Sequence, residues 1–514
     1  MLTVDLIRRG ARQHAERRAV LFGDQMLTFR DVDDISNRFA HALINAGLDR
    51  GVKIALLVNN GLYSIPLDFA CVKAGLNRVP LNSRLSLREH QHMLAETGAQ
   101  LLVYGPDLAV RAGELKQQLP QLKLLSLGGG GSDDADLLDL ARTADSTDPN
   151  LPIEPDDVLL TLYTSGTTGT LKAAQHTQRS YAAICANILA NLLTVERDDV
   201  MLHAASLIHA SGTFVLPFWL HGAASAVLAR FEPNEFLASI ARWKVTKINL
   251  VPTMLTMLFS LPGIEQVDVS SLNAVIYGAS PMPLPVIQRG LQLWGPIFTQ
   301  YYGQTEVPLC ISVLRKEDHV GPGAEERLLS CGQPVVEAEV RLIDQEGRNV
   351  AVGEPGEIVV RAPFEMAGYF NAPDLNAETF LPAGWIRTRD IGRFDEQGYL
   401  YLVDRTSDMI VSGGYNVYPR EVEDALLAHP AVQECAVVGA PDERWVETVV
   451  AFVVLKPGAR ATEEELISSA RQRLASYKAP RSVRFIEQVP KSAVGKVLRR
   501  ALRDPLWQGY KRSI

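Results

Sequence analysis

The sequence predicts an α/β protein: two stacked α/β subdomains, then a region of antiparallel sheet or β-barrel, then a small C-terminal α+β domain. Three observations support this fold class. The 514 residues, 47% of them hydrophobic, exceed what one hydrophobic core usually supports. Apolar runs alternate with helical patterns from the start of the chain. After Cys331 the pattern changes to short strands separated by turns.

The first subdomain is predicted from strands that alternate with helices, which is typical of βαβ units and a parallel sheet. A helical pattern covers 30–46, and apolar β-rich runs follow at 54–58, 78–80, 100–104 and 122–127. A second series has strands at 200–204, 224–228, 247–251 and 273–277, with helices such as 233–244 between them. The two series predict two stacked α/β units.

The remainder of the chain predicts two smaller regions. Turn sequences at 344–347, 353–356 and 395–398 separate short strands, as in an antiparallel sheet or barrel. After Asp408 helices and strands alternate compactly again to about 485. We therefore divide the chain into an N-terminal core, 1–406, and a small C-terminal domain, 407–514.

Residues 163–172, Tyr-Thr-Ser-Gly-Thr-Thr-Gly-Thr-Leu-Lys, lie between an apolar run and a predicted helix and carry the chemistry of a polyphosphate site. The two glycines allow backbone N–H groups to converge on an anion. The hydroxyls supply neutral donors, and Lys172 supplies positive charge. The spacing differs from the Walker pattern, so this is a different phosphate loop. The alternative is a flexible Ser/Thr/Gly linker, although linkers seldom follow an apolar strand such as 158–163.

Four further blocks have polar, glycine-bearing sequences, and each is weak alone. Tyr-Tyr-Gly-Gln-Thr-Glu at 301–306 can stack an aromatic ring on a purine and bring a carboxylate to Mg²⁺. Asp390 can accept ribose hydroxyls or simply cap a turn. Asp404-Arg405 and the following 412–416 offer a guanidinium and a glycine pair. Lys496 lies in a predicted loop near the C-terminus.

Composition excludes several classes of protein. The net charge of −8 and the lack of a strongly basic tract argue against nucleic acid as a partner. Five separated cysteines without a C-x-x-C pair are typical of a reduced compartment and give no metal-ligand spacing. No apolar run approaches the length of a membrane span, and charges near the N-terminus do not fit a signal sequence. We expect a cytoplasmic protein.

Together these blocks resemble the adenylate-forming superfamily of acyl-CoA synthetases, nonribosomal adenylation domains and luciferases. The resemblance runs from about residue 27 to residue 503, and the set of motifs is specific although each member is not. The motifs that carry it are 163–172, 277–280, 302–306, 353–361, 368–369, 385–390, 398–400 and 412–423.

The resemblance implies that a carboxylic acid and MgATP form an acyl-adenylate with release of pyrophosphate, and that the acyl group then passes to a thiol. Catalysis would rest on positioning and on electrostatic stabilisation at the α-phosphoryl group. The resemblance assigns Ser165, Gly166, Thr167, Thr168, Gly169 and Lys172 to the β- and γ-phosphates, Tyr302 to adenine, Thr305 to the α-phosphate, and Asp390 and Arg405 to the ribose. Further residues are expected to bind ATP or CoA without a separate role: Thr164, Gly278, Ala279, Ser280, Tyr301, Gly303 and Gln304.

The resemblance also assigns the metal, the catalytic lysine and the thiol channel. Glu306 would bind Mg²⁺, and Lys496 would bridge the α-phosphate and the acyl carboxylate. Rotation of a mobile C-terminal domain would then withdraw Lys496 for the second half-reaction, and Gly414 would line the tunnel for the CoA pantetheine. Ser407 replaces the usual charged hinge residue. This leaves the hinge site recognisable without its usual charge. Leu171-Lys172-Ala173 replaces Pro-Lys-Gly, and Ala493-Val494 stands where Ser/Thr-Ser is common; neither of these two departures removes a functional group named above.

His209 stands where amino-acid-activating relatives carry an aspartate, so an amino-acid substrate would bury its ammonium group without a partner. It resembles the histidine near the carboxylate in acyl- and aryl-CoA ligases, and a structural core histidine is the alternative. The predicted pocket, which is largely small or apolar, favours a hydrophobic acid: Phe214, Val251, Gly278, Ala279, Ser280, Tyr301 and Pro308.

We therefore predict an ATP-dependent acid–CoA ligase with ATP, Mg²⁺ and CoA as cofactor and co-substrates. The alternatives are an enzyme that loads a carrier protein or another acceptor, and a non-catalytic ATP-binding relative. The sequence leaves open which acid is used and whether the protein is a monomer or a homodimer.

Overall fold

The computed structural model describes residues 1–129, 134–165, 171–405, 408–412, 415–442, 445–491 and 497–508. For Ser165, Asp404, Arg405, Val411, Tyr415, Asn416 and Val446 it describes the backbone only. The chain divides into two compact units. The first comprises Met1–Thr164, Leu171–Glu339 and Val360–Gly384, and the second lies mainly within Val340–Val359 and Trp385–Ile514. The predicted boundary between residues 406 and 407 stays a prediction.

The α-helices of the described residues are α1 Thr3–His14, α2 Phe29–Asn45, α3 Ser64–Lys73, α4 Leu87–Thr97, α5 Ala109–Gln118, α6 Leu137–Thr143, α7 Gln178–Asn187, α8 Val215–His221, α9 Pro233–Trp243, α10 Pro252–Phe259, α11 Leu284–Trp294, α12 Ala324–Arg327, α13 Pro373–Thr379, α14 Pro419–Leu427, α15 Glu463–Arg471 and α16 Arg499–Arg503. Several begin at a side-chain cap: Thr28 Oγ1 accepts the N–H of Asp31, and Ser86 Oγ that of Glu89.

The strands are β1 Arg18–Phe22, β2 Gln25–Thr28, β3 Lys53–Leu57, β4 Asn77–Pro80, β5 Leu101–Tyr104, β6 Lys123–Ser126, β7 Val158–Ser165, β8 Leu171–Thr177, β9 Val200–His203, β10 Ala224–Val227, β11 Lys247–Leu250, β12 Ala274–Gly278, β13 Phe298–Tyr302, β14 Ser312–Leu314, β15 Gln333–Pro334, β16 Glu339–Ile343, β17 Gly356–Arg361, β18 Gly368–Tyr369, β19 Phe380–Leu381, β20 Trp385–Phe394, β21 Leu400–Arg405, β22 Ile410–Ser412, β23 Tyr415–Val417, β24 Val432–Asp442, β25 Val446–Leu455 and β26 Ser482–Phe485.

Two sheets build the first unit, which confirms the two predicted α/β subdomains. One has the order β18-β8-β7-β4-β3-β5-β6, and the other β15-β14-β13-β12-β11-β9-β10-β1-β2. The central strands of both sheets run parallel, from β4 through β3, β5 and β6 and from β13 through β1. Their carboxyl ends are where open α/β sheets bind ligands.

Helices α1, α2, α3, α7 and α8 contribute to one shared hydrophobic core of the first unit. Trp219 is its centre: the ring stacks on Phe29 at 4.2 Å between centroids, meets Phe69 edge-on, and its Nε1–H donates to the Ile7 carbonyl. Gly10 on α1 faces this ring so closely that a Cβ would overlap it. Burial of aromatic surface therefore holds α1 against α8.

The second unit contains two sheets of its own. Strands β16, β17, β20 and β21 are neighbours in that order, with β20 and β21 antiparallel. Strands β23, β22, β25 and β24 form the other sheet, and β26 pairs in parallel with β25. Helices α14 and α15 cover it through a core of aliphatic residues. The antiparallel sheet or barrel and the α+β arrangement predicted for these two regions are both confirmed.

All five cysteines are buried free thiols. Burial raises the pKa of Cys71 and of Cys185 to about 12, and it also raises the pKa of Cys310 and Cys435. A thiol in such surroundings stays protonated and inert. No helix of the described residues combines the length and apolar character needed to cross a membrane.

Candidate active site

The loop after β13 holds the predicted adenine and phosphate residues in a tight turn. Tyr302 is buried at the end of the strand. The backbone N–H of Gln304 donates to the Val307 carbonyl at 3.1 Å. A Cβ on Gly303 would overlap the backbone of Leu309, so this position requires glycine. The turn therefore carries Thr305 and Glu306 at the carboxyl end of a parallel strand.

Glu306 is oriented by contacts to a distant segment of the chain. Its carbonyl accepts the backbone N–H of Met366 at 2.8 Å, and its Oε1 accepts the hydroxyl of Tyr369. Tyr369 lies in β18, which pairs antiparallel with β8 opposite Ala174. Lys172 on β8 places its Nζ 5.8 Å from the centre of the same ring. Tyr369 thus contacts both the predicted metal ligand and the predicted phosphate lysine.

His176 stabilises the same turn through a hydrogen bond to its backbone. Its Nε2–H donates to the carbonyl of Thr305 at 2.8 Å. The ring is buried, its Nδ1 has no hydrogen-bond partner within the described part of the chain, and burial lowers the pKa of His176 to about 4. The imidazole is therefore neutral at physiological pH. Sequence reasoning missed it, because the contact spans 129 residues and no motif contained it.

A site with one protein carboxylate is better suited to Mg²⁺ than to a metal ion that is held by protein ligands alone. Among the residues that the structure describes, no group of three or more His, Cys, Asp or Glu side chains could hold a metal ion. Mg²⁺ usually binds through one or two carboxylates together with substrate phosphates. Glu306, fixed by Tyr369, fits that requirement.

Gly278 is the last residue of β12, next to β13, and Ala279 and Ser280 follow it. Gly278 pairs with Tyr301, and a Cβ on Gly278 would overlap the Tyr301 backbone and approach its ring. Ala279 has a positive φ of 66°, which costs a non-glycine residue energy and is found at functional turns. Burial raises the pKa of Tyr301, whose hydroxyl bonds Asn249. The wall of the predicted acyl pocket is thus closely packed.

His209 sits in a turn after β9 that is fixed on several sides. Its carbonyl accepts the N–H of Gly212 at 2.9 Å, and Gly212 lies so close to Leu207 that a Cβ would overlap the Leu207 carbonyl. The buried His203 bonds Ser211 and so holds the turn to the strand. The turn is therefore built to hold the His209 side chain in place.

Two asparagines from the other sheet reach this turn. Asn60, after β3, accepts the N–H of Leu207 and donates to the Ala205 carbonyl. Asn82, after β4, places its Nδ2 3.1 Å from Nε2 of His209. Both follow the carboxyl ends of parallel strands, where ligand sites of open α/β sheets form. Neither residue was singled out from the sequence.

Asp390 belongs to the second unit and is only 7% exposed. It lies in β20 directly opposite Arg405 of β21. Its backbone N–H donates to Oγ1 of Thr388 at 3.1 Å. The pairing of the two predicted ribose residues on neighbouring strands agrees with a shared role, which stays a prediction.

Several predicted residues cannot be compared with the structure. Thr164 is half-buried in β7, at the end that leads into the phosphate loop. The remaining ones lie outside the described residues or have undescribed side chains: Ser165, Gly166, Thr167, Thr168, Gly169, Arg405, Ser407, Gly414 and Lys496.

Comparison with known proteins covers nearly the whole chain. The AMP-binding enzyme family matches residues 7–370, and the AMP-binding enzyme C-terminal domain matches residues 421–496. The chain is 36% identical over 523 residues to the medium/long-chain-fatty-acid–CoA ligase FadD8 of Mycobacterium tuberculosis, covering 98% of this chain and 90% of that protein. It is 37% identical to a feruloyl-CoA synthase of Amycolatopsis, covering 96% and 97%.

A solved structure shows the same architecture. The o-succinylbenzoate CoA synthetase MenE from Bacillus subtilis, in complex with its acyl-adenylate intermediate, is 30% identical, covers 97% of this chain and 98% of its own, and has a TM-score of 0.85. That enzyme has also been solved with ATP and a magnesium ion. The chain therefore belongs to the AMP-binding enzyme family and is an ATP-dependent ligase that joins a carboxylic acid to coenzyme A through an acyl-adenylate.

Proposed function

We propose that the acid is largely hydrophobic and that His209, Thr305, Glu306 and Lys496 carry the chemistry of its activation. Two contacts of Tyr369 carry this proposal. Its hydroxyl donates to Glu306 and its ring lies below Lys172. One aromatic side chain thereby links the carboxylate for Mg²⁺ with a cation for the phosphates.

Adenylation brings two anions together, because the acid's carboxylate must attack the α-phosphorus while pyrophosphate leaves. Mg²⁺, when bound, neutralises phosphate charge. In this proposal Glu306 holds the metal, Lys172 and the loop 164–170 hold the β- and γ-phosphates, and Thr305 donates to the α-phosphate. Such fixed donors stabilise the charge that builds up during attack without reorganising.

The hydrophobic character of the acid is supported by the pocket and by the relatives. Phe214 and Tyr301 are buried aromatic residues, and the half-buried His209 stands where an ammonium group would need a carboxylate. The two relatives named above act, by their names, on fatty acids and on a feruloyl group. We place the enzyme in the cytoplasm, a proposal that five buried free thiols support. A homodimer remains an open prediction.

The test is a panel of aliphatic, aryl and alicyclic acids, each assayed for pyrophosphate release with MgATP, with and without CoA. We expect the largest kcat/KM for an apolar acid, with net turnover that requires CoA. Preference for an amino acid or a short polar acid would contradict the proposed pocket. Acid-dependent pyrophosphate exchange without use of CoA would instead indicate carrier-protein loading.

A further inference from the structure

The turn that carries His209 contains a chain of hydrogen bonds whose directions can be deduced. The amide of Asn82 has two possible orientations, and its neighbours decide between them. The backbone N–H of Arg84 can only donate, and it lies 3.1 Å from Oδ1 of Asn82. Oδ1 is therefore the acceptor, and Nδ2 must be the group that faces His209.

The amide Nδ2 of Asn82 is a donor only, and it lies 3.1 Å from Nε2 of His209. Nε2 must therefore accept, which requires it to carry no proton. A neutral imidazole then has its proton on Nδ1. The contact fixes both the tautomer and the neutral state of the ring, because a proton on Nε2 would confront the amide N–H.

A second histidine anchors the backbone of Asn82. The guanidinium of Arg111 can only donate, and its NH1 lies 3.3 Å from Nδ1 of His90. His90 must then carry its proton on Nε2, which donates to the Asn82 carbonyl at 2.8 Å. His90 is fully buried on α4, and burial lowers its pKa. The backbone of Asn82 is thus anchored to a neutral, fixed ring.

We propose that Asn82 is a positioning residue of the acid site, which sets the tautomer of His209 so that its ring offers Nδ1–H to the oxygen of an acyl carboxylate. This inference rests on the proposed role of His209. It explains chemically why the site takes acids without an ammonium group: a ring locked as a neutral donor serves oxygen acceptors and gives a cation no partner.

Two substitutions of Asn82 test the inference. Asn82→Asp keeps the size but replaces the donor with an acceptor, so the proton should move to Nε2 of His209. Nitrogen-15 spectra of histidine-labelled protein at about pH 8, where an ordinary imidazole is neutral, show which ring nitrogen is protonated. His209→Gln assigns the signal. Asn82→Ala removes the donor and should leave a mixture of tautomers.

The kinetic readout separates positioning from folding. We expect Asn82→Asp to lower kcat/KM for the acid about ten- to a hundredfold, with the KM for MgATP unchanged. Ser83→Ala is the matched control: Ser83 is the next residue and donates to Oδ1 of Asn59 instead of to His209, so both readouts should stay at the wild-type values.

The outcomes distinguish this inference from the proposed function. A wild-type spectrum with the proton on Nε2 overturns the inference, and so does an Asn82→Asp enzyme with unchanged tautomer or unchanged kcat/KM. If His209→Gln leaves acid activation unaffected, the proposed role of His209 fails, and the inference fails with it as a statement about the acid site. The spectrum of the wild type would still decide the tautomer.

Discussion

At the scale of single residues, the contacts of greatest consequence join positions far apart in the chain. Tyr369 lies 63 residues from Glu306, and Asn82 lies 127 residues from His209. The sequence predicted Thr305, Glu306 and His209 because they lie within or beside recognisable motifs. It could not predict their partners, because a side-chain hydrogen bond leaves no periodicity in the sequence. Of the three partners, Tyr369, Asn82 and His176, only Tyr369 fell within a motif, and the motif did not indicate its role.

Removing the Tyr369 hydroxyl should weaken magnesium use. In Tyr369→Phe the ring over which Lys172 lies is kept, but Glu306 loses the donor that orients its carboxylate. We expect the Mg²⁺ concentration for half-maximal adenylation to rise about fivefold, which corresponds to roughly 1 kcal/mol, the usual worth of a hydrogen bond. Tyr477→Phe, at an exposed position, is the control. An unchanged Mg²⁺ titration would exclude the orienting role.

His176 should affect ATP and not the acid. His176→Phe removes the donor to the Thr305 carbonyl and leaves that oxygen without this bond, whereas His176→Gln retains an N–H of similar reach. We expect the KM for MgATP to rise about tenfold in the Phe variant and less in the Gln variant, with the KM for the acid unchanged. Equal effects of both variants, or a change in the acid KM alone, would contradict this assignment.

At the scale of elements, most strands and helices were predicted close to their observed bounds. The strand predicted at 247–251 is Lys247–Leu250, and the helix predicted at 233–244 is Pro233–Trp243. Strand β8 is the exception, because a helix was expected directly after the phosphate loop. The structure has Leu171–Thr177 as a strand and begins the helix at Gln178, capped by Thr177. Pairing of β8 with the two-residue strand β18, almost 200 residues away, could not be predicted from local sequence.

The close packing of α1 against α8 predicts that Gly→Ala changes the stability of the protein in opposite directions at Gly10 and at Gly113. Gly10→Ala should destabilise the protein by about 1–3 kcal/mol, because the added Cβ overlaps Trp219 in a packed core. Gly113→Ala is the matched case in α5, where nothing lies within 4 Å of the added atom. It should stabilise by about 0.5–1 kcal/mol through helix propensity. Thermal unfolding of both variants measures the difference, and a destabilised Gly113→Ala would refute the packing argument.

At the scale of the whole molecule, buried neutral histidines predict acid sensitivity. Burial lowers the pKa of His203 to about 3 and of His319 to about 4, from an ordinary value of 6.5. Between these values the unfolded chain binds protons that the folded protein does not, so stability is complete above pH 6.5 and falls as the pH drops towards 4. At one pH unit below 6.5, each of these histidines should lower the free energy of unfolding by about 1.4 kcal/mol.

Thermal unfolding at several pH values tests this expectation. The unfolding temperature of the wild type should decline steeply below pH 6.5. His319→Gln retains an amide that can bond Tyr277, as His319 does at 2.9 Å, but it cannot titrate. Its unfolding temperature should therefore decline less steeply than that of the wild type. Parallel curves for the two proteins would show that His319 does not contribute.

The assignment of Lys496 to one of the two half-reactions also concerns the whole molecule. The family resemblance assigns Lys496, which lies outside the described residues, to adenylation only. Lys496→Ala should therefore reduce formation of the adenylate from ATP by about a hundredfold or more, while transfer from preformed adenylate to CoA is nearly retained. Equal loss of both steps, assayed separately, would refute this assignment. Neither the boundary at residue 406 nor the rotation of the C-terminal domain follows from the described contacts.

The burial of every native cysteine gives the protein a practical property for experiments on that rotation. Buried thiols react slowly with maleimides, so the wild-type sequence already serves as an unreactive background for labelling. Cysteines introduced at the exposed positions Val110 and Glu464, one in each unit, could carry a donor and an acceptor fluorophore. Energy transfer between the dyes would then follow the two units through the catalytic cycle in an otherwise unaltered enzyme.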